Sequence, residues 1–143
     1  MKPVDLSRSL QELEGDDWGE PTYPSYVVTT CHTMRRKPLR DVTTEELRLV
    51  IGQGFSLDYL MPMAIAKLEE NPLADGDFYE GDLLKNVLTV PASFWDEHPA
   101  WREAVDQVAR RSFVLCAALE GGGEFNLKIL REAYSIFCGS RRA

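Results

Sequence analysis

The sequence predicts an all-α fold, a single domain over residues 1–143 with six to eight helices. Three observations carry that expectation. Apolar residues recur at three- and four-residue steps, as in Leu57, Leu60, Met61, Ala64, Ile65 and Leu68, the spacing that lines one face of a helix. Helix start and stop signals bracket such stretches, the clearest being Thr43 followed by Glu46, the spacing of a capping box. At 143 residues, with 44% apolar and 27% charged residues, the chain can bury enough surface for a core that needs no cofactor.

In chain order, Leu6, Leu10 and Leu13 predict a short amphipathic helix over Ser7 to Glu14, closed by Gly15. Asp16 to Pro21 reads as a turn, and Pro21 and Pro24 delay the next helix until Ser25 can cap it. Tyr26 to Lys37 then presents Tyr26, Val27, Thr30, Cys31 and Met34 on one face, with Arg35, Arg36 and Lys37 at the end that favours positive charge. The Val27 to Thr30 run also suits a strand. After the Thr43 start, Leu47, Val50 and Ile51 form a buried face and Gly52 and Gly54 end the helix. Ser56 is placed to cap the next, which runs to Asn71 with Pro62 in its opening turns. Leu73 to Asp82 reads as a polar connector, Gly81 to Val87 as a short helix, and Pro91 as the start of a turn with Phe94 and Trp95 buried. A long helix is expected from Pro99 through Leu119, stopped by Gly121, Gly122 and Gly123. Asn126 is placed to cap a last helix carrying Leu127, Leu130, Tyr134 and Phe137.

Net charge is −7 and uneven: residues 1–100 hold nine basic and eighteen acidic side chains, whereas residues 101–143 hold seven basic and five acidic ones. Direct nucleic-acid binding is disfavoured, because phosphate contact needs a basic face. The helix-turn-helix outline of the Thr43 and Leu57 segments lacks such a face. The first residues hold no apolar stretch of signal length, and the longest apolar run, Phe113 to Leu119, is too short to cross a bilayer. A cytoplasmic protein without membrane contact is expected. Cys31, Cys116 and Cys138 are widely spaced and read as reduced thiols.

Catalytic patterns are missing from the sequence. His32 sits beside Cys31 in an expected helix, where adjacent side chains point apart, and His98 lacks the second histidine of an H-E-x-x-H zinc site. Gly121 to Glu124 lacks the Lys-Ser/Thr of a phosphate loop. A calcium loop starting at Asp75 fails where it requires an oxygen ligand, a glycine and a glutamate, since Tyr79, Glu80 and Asn86 stand there. No cofactor is expected.

The acidic stretch is more telling as a contact surface. Residues 69–82 contain Glu69, Glu70, Asp75, Asp77, Glu80 and Asp82 around Phe78 and Tyr79, with no Lys or Arg. A second patch joins Glu12, Glu14, Asp16, Asp17 and Glu20 to Trp18 and Tyr23. Aromatic rings inside an acidic field suit a basic protein partner, the rings giving buried area and the charge raising the encounter rate. The plainer reading buries Trp18, Phe78 and Tyr79 in the core and leaves the acids as a solvated surface.

Several ordered motifs add a resemblance. Leu13-Glu14 with Asp17-Trp18-Gly19-Glu20-Pro21, then Arg36-Lys37-Pro38-Leu39, then Leu47 through Gly54, then Asn71 through Leu84, resemble the immunity proteins of contact-dependent growth inhibition systems, over roughly residues 9–97. The resemblance implies a cytoplasmic antidote that binds the C-terminal domain of a cognate toxin, frequently a nuclease and therefore basic. The expected contact residues are Asp16, Asp17, Trp18, Glu20, Asp75, Asp77, Phe78, Tyr79, Glu80 and Asp82. Two alternatives stand beside it: a metal-dependent hydrolase using Asp75, Asp77, Glu80 and Asp82, and a generic protein-interaction adaptor. Oligomeric state is left open.

Overall fold

The computed structural model describes residues 4–119 and 123–139, so the expected glycine stop at Gly121 and Gly122 lies outside the described residues. Within them the chain forms eight α-helices and no strand: α1 (Leu10–Glu14), α2 (Tyr26–Arg35), α3 (Thr44–Gln53), α4 (Leu57–Glu70), α5 (Asp82–Leu88), α6 (Ala92–Glu97), α7 (Pro99–Ala118) and α8 (Gly123–Gly139). A 3-10 turn, Leu39–Asp41, links α2 to α3. The strand alternative at Val27 to Thr30 is not adopted. No helix among the described residues is long and apolar enough to cross a membrane.

Capping sets most of the boundaries. Thr43 accepts the Glu46 N–H while Glu46 reaches back to the Thr43 N–H, so α3 starts where the capping-box spacing placed it. Ser9 and Glu12 make the same reciprocal pair. That cap starts α1 at Leu10 and not at Ser7, whose own N–H and hydroxyl turn back to Asp5; Leu6 is left exposed. α2 is capped by Ser25, whose hydroxyl accepts the Val28 N–H, and it ends at Arg35, short of Lys37. Tyr26 is exposed and not on the buried face, which is formed by Cys31, Met34 and Arg35.

Other expectations are corrected by packing. Gly52 lies inside α3, and Gly54 alone caps it. Ser56 precedes α4 but makes no side-chain cap, because its hydroxyl donates to Glu14 instead. The segment after Pro91 is helix α6 rather than a turn, with Trp95 buried and Phe94 half-buried. Asn126 does not cap α8, which begins at Gly123; its amide donates across to the Glu80 carbonyl.

One buried apolar cluster takes side chains from all eight helices. α5 lies between α3 and α8, and α4 meets α7. α7 and α8 run antiparallel, with Phe113 meeting Tyr134 edge-on at 5.3 Å and Arg102 reaching the Phe137 carbonyl. The segment between α4 and α5, residues 71–81, is thereby held between the start of α3 and the start of α8.

Candidate partner-binding surface

The 71–81 segment is no loose connector. Pro72 and Leu73 are buried, and Asp82 is only 1% exposed. Asp82 Oδ1 accepts the Gly76 N–H at 2.7 Å, and Oδ2 accepts the N–H groups of Phe78 and Tyr79 at 3.1 and 3.3 Å. Arg48 Nε lies 3.8 Å from the same carboxylate. The acidic stretch therefore does not hold six uncompensated charges, as its sequence suggested. Asp82 spends its charge inside, closing the loop on itself, and is lost to a contact surface.

Beneath the loop, Arg48 grips Glu45 through two 2.6 Å hydrogen bonds. Glu45 also accepts the Asp77 N–H at 2.9 Å and the Tyr26 hydroxyl at 2.7 Å. The bonds from Arg48, with those from Asp77 and Tyr26, outweigh burial and hold the Glu45 carboxyl down to about 2. The Tyr26 phenol is pushed up by its bond to the same carboxylate. Gly76 rests so closely on the first turn of α3 that a Cβ there would run into Glu45. Gly81 takes φ +94° before α5, a conformation that side chains disfavour. Neither Glu45 nor Arg48 stood out in the sequence. Their i, i+3 spacing was the available signal, and it reads as an ordinary surface pair.

With its backbone fixed, the loop turns Asp75, Asp77 and Glu80 outward, and none of them makes an ion pair among the described residues. Phe78 is 64% exposed, with the Arg48 guanidinium 4.0 Å from its ring centre. Tyr79 is half-buried and meets Phe125 of α8 edge-on at 6.1 Å.

The Trp18 patch is less open. Buried Arg35 pairs with Glu14, donates to the Asp16 carbonyl at 2.9 Å and lies 4.3 Å from the Trp18 ring centre. Trp18 is half-buried, edge-on to Phe55 and His32, and its indole N–H donates to Asp16. Glu20 pairs with Arg36 at 3.1 Å, and the Asp17 carboxylate accepts the Gly19 N–H at 2.7 Å. Glu14 and Glu20 are thus compensated, so the patch is not one acidic field. Both loops flank α2: the first packs on His32 and Arg35, and the second reaches Tyr26 through Glu45.

The other candidate groups stay apart. His32 Nδ1 lies 3.0 Å from the Gly19 carbonyl, while His98 stacks on Trp101 at 4.3 Å with Nε2 3.1 Å from Asp58. Among the described residues no three His, Cys, Asp or Glu side chains converge as a metal site would need. Cys31 and Cys116 are buried, which pushes both thiols up, away from the reactive thiolate; Cys138 is half-buried.

A family model for CDI immunity proteins matches residues 12–105, a span that takes in both loops and ends inside α7. No curated protein and no solved structure matches the chain.

Proposed function

The chain belongs to the CDI immunity proteins, and on that premise we propose that it neutralises a cognate contact-dependent growth inhibition toxin by binding the toxin's C-terminal domain one to one, without turnover. The observation that carries the site is the 71–81 loop. Its backbone is fixed from within by Asp82, Glu45 and Arg48, while Asp75, Asp77, Glu80 and Phe78 face outward. A rigid acidic loop around an exposed ring suits a partner that is basic and offers a pocket, because little ordering is needed on binding. A nuclease domain has that character, since it must present cations to phosphate. The protein would act in the cytoplasm by covering the toxin's active site or a surface beside it. Asp16, Asp17, Trp18 and Glu20 form a secondary contact in this reading.

The hydrolase alternative finds less support. Asp82, one of its four ligands, is buried, accepts three backbone N–H bonds and faces Arg48, whereas Asp75, Asp77 and Glu80 are turned outward, away from it.

Co-expression with a candidate toxin C-terminal domain, sought among the genes adjoining this one, tests the proposal. Restored growth and a one-to-one complex are expected, and failure of both would overturn it. Within that complex, the triple change Asp75→Asn, Asp77→Asn, Glu80→Gln should slow association by roughly tenfold at low salt and flatten its salt dependence, with dissociation little changed. Unaltered kinetics would move the interface away from this loop.

A further inference from the structure

We propose that the seam between the 71–81 loop and the adjoining ends of α7 and α8 selects the partner. There it receives a cationic amphipathic element of the toxin domain, a Lys or Arg whose alkyl stem lies on apolar side chains while its head meets carboxylates. The inference rests on the toxin-binding reading above and adds residues that reading does not use.

A groove of about 470 Å³ opens here, with Leu73, Leu115, Ala118 and Leu119 as its apolar wall and Asp75 and Glu80 at its edge. Leu119 is also shared with a neighbouring groove that holds Phe125 and Glu124. The apolar strip therefore continues from α7 to α8. Its outer members are uncovered: Phe125 is 63% exposed and Leu115 is 39% exposed. The strip is fixed to the acidic loop, because Tyr79 packs on Phe125 and Asn126 holds the Glu80 carbonyl.

Charge decides the occupant. Among the described residues neither groove is lined by a Lys or Arg, while Asp75 and Glu80 line the first and Glu124 the second. An anionic or nucleic-acid occupant is repelled. A purely apolar one would strip water from carboxylates and give nothing back. A second copy of this chain set face to face on the same seam brings Asp75, Glu80 and Glu124 against their own like. A Lys or Arg satisfies both halves, since its stem is apolar and its head is not.

The extent of the family match divides the work. Asp75, Tyr79 and Glu80 lie within residues 12–105, whereas Leu115, Leu119 and Phe125 lie beyond them. The acidic edge belongs to the segment the family shares and attracts basic partners in general. Apart from Leu73, the apolar wall is supplied by residues past the end of the match, on the later turns of α7 and at the start of α8, and it distinguishes one basic partner from another.

The test is calorimetric titration of the full chain with the candidate toxin domain used for co-expression, each variant being checked by thermal melting. Leu115→Ser with Phe125→Ser should weaken binding by roughly tenfold to a hundredfold, chiefly through faster dissociation. Asp75→Asn with Glu80→Gln should act chiefly on association. If the double serine variant fails to fold, Leu115→Lys, at an exposed position, opposes the incoming cation and should weaken binding comparably. Wild-type binding matched by all variants would overturn the seam and leave the toxin-binding reading standing. Absence of wild-type binding would remove both. A wild-type dimer that dissociates on the Leu115 and Phe125 changes would assign the strip to a second copy and overturn the proposal.

Discussion

Glu45 stays ionised although its side chain is nearly enclosed, because four hydrogen bonds from Arg48, Asp77 and Tyr26 converge on its two oxygens. Its folded pKa, about 2, lies below the unfolded value of 4.5, so the folded state holds the proton less tightly. The resulting stabilisation is complete above about pH 5 and is lost as pH falls toward 2, and a shift of this size corresponds to roughly 3 kcal/mol. Urea unfolding across that range should show a marked loss of stability in the native protein and a flatter profile in Glu45→Gln, which should already be weaker at pH 7. Equal slopes would mean that these bonds are no stronger than those to water. Asp82 makes a separate case. Asn at that position keeps one acceptor oxygen for three N–H donors and leaves Arg48 facing an amide, so Asp82→Asn should cost about 2–3 kcal/mol. Hydrogen exchange should quicken at Gly76, Phe78 and Tyr79 and much less in α4. Counting charge along residues 69–82 could not disclose this role, because the compensating Arg48 comes from another helix.

Among the helices, the start of α3 was legible because its signal is local: two side chains and two N–H groups within four residues. Thr43→Ala should therefore cost about 1 kcal/mol by denaturant unfolding, a loss confined to one cap. Ser9 and Glu12 carry the same signal at α1, and their cap, not the apolar stripe through Leu6, sets where that helix begins. α6 was hidden for the opposite reason. The six residues of α6 are too few to show a period, and the helix is fixed by Trp95 entering the core, where Phe137 meets it edge-on at 5.5 Å. The candidate site divides along the same line. Exposure of Asp75, Asp77 and Glu80 followed from composition, whereas the burial of Asp82 and the half-burial of Trp18 depend on Arg48 and Arg35, whose partners lie far away in sequence.

At the scale of the molecule, α8 matters most, because the family match ends before it while the buried cluster does not. Leu130 packs beneath Gly81 at the end of the acidic loop, and Phe137 is buried against Trp95. α8 thus closes the core shared with α5 and α7 and carries the Phe125 contact to Tyr79. A helix so placed cannot detach without exposing the interior, which supports reading the described helices as one cooperative domain. Phe137→Ala should lower global stability by about 3–5 kcal/mol, the range for emptying a buried aromatic site. Thermal unfolding should remain one transition, with helix content by circular dichroism and tryptophan fluorescence falling together in both native protein and variant. An appended α8 would behave differently: helix content would be lost first in the variant, while the environment of Trp95 changed only at the native temperature. Coincident transitions shifted downward together would place α8 inside the cooperative unit, and would make the position of Phe125 beside the acidic loop a property of the folded core.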